Sequence, residues 1–134
     1  MATGSCLCGK VKISYSGEPV AQALCHCGDC KKISGGTHSI NHVIVSDDFA
    51  VTGDPKQFTK TADSGKSIIS HFCGDCGSTL FRTGGSFGPA HIVKAGVLDT
   101  PGVLEKGKPV SELFAPQRPS WVPAVEGAAQ KDGM

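Results

Sequence analysis

Along residues 9–15 the chain alternates Val11, Ile13 and Tyr15 with Lys10, Lys12 and Ser14, the two-residue period of a half-buried strand. Short runs rich in β-branched and apolar residues at 20–24, 39–45, 67–72, 79–82 and 90–94 predict further strands, and 112–114 predicts a late one. Residues 31–34 read as a helical turn stopped by Gly35-Gly36. Asp47-Asp48, Gly53-Asp54-Pro55 and Asp63-Ser64-Gly65 separate these elements with turn chemistry. Glycine supplies 18 of 134 residues, about twice its usual share, which suits short strands and tight turns better than a helical bundle. No repeat or linker divides the chain, so one mainly β domain is expected over residues 1–126. Residues 127–134 are expected to be a flexible C-terminal tail. Pro116, Pro119 and Pro123 make the stretch before it irregular, and Trp121 is expected to anchor that stretch on the body.

Seven cysteines change this picture, because they fall in three tight groups: Cys6-Leu7-Cys8, Cys25-His26-Cys27-Gly28-Asp29-Cys30 and Cys73-Gly74-Asp75-Cys76. Thiolates one or two residues apart chelate one ion at little entropic cost, and zinc takes about four of them in a tetrahedron. The seven divide as four plus three. Cys73-x-x-Cys76-Gly77 lies between two predicted strands, where a zinc knuckle belongs and a redox pair at a helix start does not. Gly74 and Gly77 are the expected left-handed positions of that knuckle. Cys6, Cys8, Cys73 and Cys76 make a closed structural site. Cys25, Cys27 and Cys30 remain for a second ion with a vacancy, the usual layout of a catalytic zinc. A histidine could close it instead, with His26, His38, His42, His71 and His91 as candidates.

Charge narrows the function classes. With 13 Lys+Arg against 12 Asp+Glu and no long run of one sign, neither a nucleic acid nor an anionic membrane is expected as a partner. No apolar run approaches bilayer-spanning length, and the first 20 residues lack a signal-peptide core, so a cytoplasmic location is expected. Clustered cysteines in a reducing compartment argue for metal rather than disulfides.

Cys6-x-Cys8-Gly9, Cys25-His26-Cys27-x-x-Cys30-Lys31, Ser64-Gly65, Phe72-Cys73-x-x-Cys76-Gly77 and Gly96-Val97-Leu98-Asp99 together resemble the glutathione-dependent formaldehyde-activating enzyme (GFA) family, which also contains the centromere protein V domain. The resemblance runs from about Cys6 to Trp121. It implies an Mss4-like, mainly β fold of small antiparallel sheets with zinc knuckles, one zinc on the outer clusters and a second on the middle one. The implied activity is that of a carbon–sulfur lyase of the S-(hydroxymethyl)glutathione synthase type, acting on a thiol–aldehyde adduct. A zinc-assisted lyase or isomerase step on another small metabolite is one alternative. A non-catalytic zinc module that binds a protein partner is another. Glutathione or a similar thiol is the expected partner, and a homodimer is compatible with the chain.

Three thiolates leave the second zinc with a net negative charge and blunted Lewis acidity, so a proton-handling helper is expected. His38 and His42, evenly spaced on a predicted strand after the cluster, are the candidates. Glutathione carries two carboxylates, so cations should line its site. Lys31 and Lys32 follow Cys30 directly, and Arg82, Lys94 and Arg118 are further candidates.

Overall fold

A computed structural model describes residues 1–134. Eleven strands form two sheets, in keeping with the mainly β expectation. The smaller sheet holds β1 (Ala2–Ser5), β2 (Lys12–Tyr15) and β5 (Ala50–Thr52) in the order β1-β2-β5. The larger holds β3 (Ala21–Cys25), β4 (Ser39–Ile44), β6 (Lys56–Thr61), β7 (Ser67–Phe72), β8 (Thr79–Thr83), β9 (His91–Lys94), β10 (Ser111–Leu113) and β11 (Ala129–Gln130), ordered β11-β10-β3-β4-β9-β8-β7-β6. Pairing is antiparallel from β3 to β6, whereas β10 runs parallel to both β3 and β11, so the large sheet is mixed. Two short helices complete the chain, α1 (Gly28–Ser34) and α2 (Val103–Lys106).

The core lies between the sheets. Val11, Ile13 and Tyr15 point from the small sheet toward Ile44, Leu80, Phe81 and Val93, with Cys6 and Cys73 in the same cluster. Tyr15 stacks on Phe49 at 5.7 Å, and Phe49 meets Phe81 edge-on at 5.1 Å and His91 face-on at 3.8 Å. Each aromatic buried this way is worth about 1.5–3 kcal/mol. Gly4 and Leu98 form an isolated bridge, and Asp99 N–H donates to the Thr3 carbonyl at 2.8 Å, tying the small sheet to the body.

Several elements depart from the sequence pattern, each for a physical reason. The first alternating segment is a strand only over Lys12–Tyr15, because Cys6 to Val11 are bent into a knuckle by bonds such as Cys6 N–H to the Val11 carbonyl. β6 reads KQFTKT and is exposed along its length; as a sheet edge it buries neither face and carries no apolar period. Phe114 leaves the strand direction with φ of 52°, ending β10 at Leu113. Trp121 does not anchor the proline-rich stretch, since 76% of it is exposed. Within residues 127–134, expected to be a flexible tail, Ala129 N–H donates to the Val110 carbonyl and Lys131 N–H to that of Glu112, at 3.0 and 2.9 Å. Short polar strands completing a sheet edge by main-chain bonds leave no side-chain signature.

Candidate functional site

Two groups of thiols converge, and they are the two groups set by sequence spacing: Cys6 with Cys8, Cys73 and Cys76, and Cys25 with Cys27 and Cys30. Within each, the sulfurs lie within 4.8 Å of one another, and all seven cysteines are free thiols. In the first group Cys6 Sγ is 3.6 Å from Cys8 Sγ, which is 3.7 Å from Cys73 Sγ. A tetrahedron with arms of about 2.3 Å has edges of roughly 3.8 Å, so these thiols fit a zinc ion and lie far outside disulfide distance. Val11 N–H donates to Cys6 Sγ at 3.3 Å, the kind of bond that supports a bound thiolate. Glycines following the second cysteine of each knuckle make the turns: Gly9 has φ of 80° and Gly77 of 79°, a region L residues avoid. Gly74 stays outside that region; the Lys56 stem packs against it, its Cδ 2.8 Å from where a Cβ would stand.

The second group sits where β3 turns into α1. Cys25 ends the strand, Cys27 caps the helix by accepting from Cys30 N–H at 3.4 Å, and Cys30 lies buried one turn inside. Hydrogen bonds from Cys25 and Cys30 bring the Cys27 thiol down to about 2, while Cys27 and Cys30 push the Cys25 thiol up. Crowded sulfurs thus hold negative charge at Cys27 first, and a soft dication is the natural partner for the set. No histidine, aspartate or glutamate lies within 4.8 Å of all three sulfurs, so the protein offers three donors and a vacancy.

Strand register explains that vacancy. Cys25 pairs with Ser39, so Ser39 and Asn41 share its face of the sheet. The pairs Asn41–Lys94, Arg82–Ile92 and Ser70–Arg82 carry that same polar face across β9, β8 and β7. The opposite, apolar face is set by His42–Val93, Phe81–Val93, His71–Phe81 and Ile44–His91. His42 lies on the other face of β4, turned away from Cys25, whereas His38 precedes the strand and lines a cleft with Ser39. His42 is buried with both ring nitrogens unpartnered, and burial lowers its pKa. His38 bonds to Thr37 at 2.8 Å and lies edge-on to His26, whose Nε2 donates to Glu112 at 2.8 Å. His71 is held by Thr83 at 2.7 Å, and His91 stacks on Phe49. His42, His71 and His91 therefore lie on the sheet face opposite Cys25, whereas His26 and His38 lie outside the paired strands.

What the thiols do face is cationic and amidic. Lys94 is 9% exposed, and its ammonium donates to Asn41 Oδ1 at 2.6 Å. Asn41 Nδ2 donates in turn to Ser39 Oγ at 2.9 Å and the Ala23 carbonyl at 3.2 Å, which fixes the amide with its oxygen toward Lys94. Burial pulls the Lys94 pKa down, Cys30 pulls it back up, Arg82 lowers it, and Cys25 and Cys27 add to the upward pull. Arg82 donates from Nε to Ser70 at 3.2 Å and stands 3.9 Å from Asp29, whose other oxygen accepts from Lys60 at 2.6 Å. Asp29 thereby pins α1 over the sheet. Lys31 reaches the Gln117 carbonyl at 2.7 Å, and Lys32 is exposed. The cleft, of about 340 Å³, is lined by Ser34, His38, Ser39, Ser78, Thr79 and Lys94 among others; none of the three cysteines lines it, and it adjoins them through Ser39, the strand partner of Cys25. Asn41 gave no signal of its own in the sequence. Two-residue counting from Cys25 across paired strands would have found it, once the pairing was known.

The family model for the glutathione-dependent formaldehyde-activating enzyme matches residues 1–117. A crystal structure of a Rhodobacter sphaeroides protein superposes with a TM-score of 0.62 at 19% identity, over 80% of this chain and 96% of that one, and so shares the fold. No curated protein matches the chain. No helix is long and apolar enough to cross a membrane.

Proposed function

Because the chain belongs to the glutathione-dependent formaldehyde-activating enzyme family, we propose that it is a zinc-dependent enzyme making or breaking the carbon–sulfur bond of a thiol–aldehyde adduct. Glutathione is the proposed thiol. The observation that carries this reading is the trio Cys25, Cys27 and Cys30, three converging thiols with no fourth protein donor, with Ser39 and the buried Lys94 on the sheet face of Cys25 and lining a cleft.

Cys25, Cys27 and Cys30 would hold the catalytic zinc, and Cys6, Cys8, Cys73 and Cys76 the structural one. When bound, an ion at the trio lowers the pKa of an incoming thiol so that its thiolate exists near neutral pH. The remaining work falls to the chain. The wall formed by α1, Ser39 and Ser78-Thr79 orients the substrate, and hydroxyls there bond its polar groups. When sulfur attacks the aldehyde carbon, the carbonyl π pair moves to oxygen, and charge develops there. The Lys94 ammonium, aimed by Asn41, stabilises that charge, and the proton lost by the thiol ends on the oxygen; the reverse sequence releases thiol and aldehyde. Lys94 takes the part expected of His42, which faces the core, while His38 remains a candidate proton carrier at the cleft wall, its Nδ1 held by Thr37. Arg82 holds the helix through Asp29 and adds positive potential for a carboxylate-bearing substrate.

Metal analysis and adduct exchange test the reading together. Wild-type protein should carry about two zinc ions and Cys27→Ala about one, with the β-sheet circular dichroism kept. Exchange between formaldehyde, glutathione and their adduct, followed by NMR, should be accelerated by wild type and not by Cys27→Ala. A variant without the second zinc that still accelerates exchange sinks the proposal.

A further inference from the structure

One buried carboxylate has no part in the chemistry above. Glu112 is fully buried on β10, on the sheet face opposite the thiol trio. A buried carboxylate left without partners strongly destabilises a fold. Its partners divide in a telling way. Oε1 accepts from His26 Nε2 at 2.8 Å and from Arg118 at 3.3 Å; Oε2 accepts from Val125 N–H at 2.8 Å and Gln130 Nε2 at 2.7 Å. Burial alone would raise its pKa, and these bonds outweigh that and bring it to about 2.

Arg118, Val125 and Gln130 all lie beyond residue 117, where the family match stops. They are cross-braced, since Arg118 donates to Gln130 Oε1 at 2.6 Å, and β11 adds main-chain bonds to β10. The remaining partner, His26, stands between Cys25 and Cys27. Its own N–H donates to the Leu113 carbonyl at 3.0 Å, and its ring is gripped by Glu112. Lys31, one residue after Cys30, is also tied to this region through the Gln117 carbonyl.

We propose that residues 118–134 form a strap which, through Glu112 and His26, holds the Cys25–Cys27 turn in its metal-binding shape, with Glu112 as a positioning residue. The inference rests on the open thiolate site proposed above. The strap touches no sulfur; it limits the motions by which the turn would release an ion. Partners one step behind a metal ligand typically change affinity by about 10–100-fold. At the other site Cys6 and Cys73 pack in the core between the sheets, and the hydrogen bonds of its four sulfurs run to one another, Val11 and Ser78 rather than to the strap.

Zinc transfer from the full chain to a coloured chelator tests this without reference to catalysis. Wild type should release its two ions in two phases, the faster assigned by its absence in Cys27→Ala. Arg118→Ala combined with Gln130→Ala should speed the fast phase about tenfold, leave the slow phase unchanged and keep the circular dichroism. Removal of residues 118–134 should speed it further. An unchanged fast phase in the folded double variant overturns the strap, as does equal acceleration of both phases, which signals general loosening. Wild-type protein carrying one zinc removes the second site and the strap with it, whereas two zinc ions with an unaltered fast phase remove the strap alone.

Discussion

Lys94 and Asn41 show how a single side chain acquires a role from its neighbours. Burying a lysine ammonium is costly, and this one is offset by an amide oxygen and by the sulfurs nearby. Lys94→Met keeps the stem and removes the charge. We expect zinc content to be retained and kcat for adduct exchange to fall about 100–1000-fold, the loss typical of an oxyanion donor. Asn41→Ala should give a smaller loss, because the ammonium remains but is no longer aimed. Steady-state kinetics on both variants decides this; a normal kcat in Lys94→Met leaves the mechanism without its charge stabiliser. The same measurement on His42→Phe should show little change in kcat, since His42 faces the core.

At the level of elements, α2 and β4 meet at a place with no spare volume. A Cβ on Gly107, which ends α2, would stand 2.6 Å from His42 Nε2 and 2.8 Å from the Val103 carbonyl. Gly107→Ala should therefore destabilise the protein by about 1–3 kcal/mol, the usual cost of overpacking, read as a lower urea midpoint. A variant as stable as wild type shows that α2 can move away freely. The two thiol sites differ in the same structural sense. The knuckle cysteines join β2, β7 and β8 to the core, so Cys76→Ala should abolish cooperative unfolding. Cys27→Ala, at one end of a short helix, should leave it intact.

For the molecule as a whole, acid is the revealing perturbation. Burial holds His42 and His91 below the ordinary imidazole pKa. The unfolded chain then takes up protons before the folded one does. Stability from these groups is complete above about pH 6.5 and declines as the pH falls below it. Urea midpoints should drop between pH 7.5 and 5.5, and His91→Leu should flatten the slope. A midpoint independent of pH in that window shows that the rings are not held neutral by the fold.

The amino-acid sequence alone determined the chemistry of the donors. Chelation depends on separations of one to three residues, so Cys6-x-Cys8, Cys25-x-Cys27-x-x-Cys30 and Cys73-x-x-Cys76 announce two groups before any folding is known. Half-buried strands such as Lys12–Tyr15 were legible for the same local reason, a side-chain period of two. The exposed β6 and β11 were not, because a strand held by main-chain bonds at a sheet edge imposes no pattern on its side chains. Which residues stand beside the open thiols was settled only by strand pairing. Register placed Ser39, Asn41, Lys94 and Arg82 on the face of Cys25 and turned His42 to the other. Register is a long-range property, fixed when two apolar faces close on each other, and no spacing along a single strand contains it.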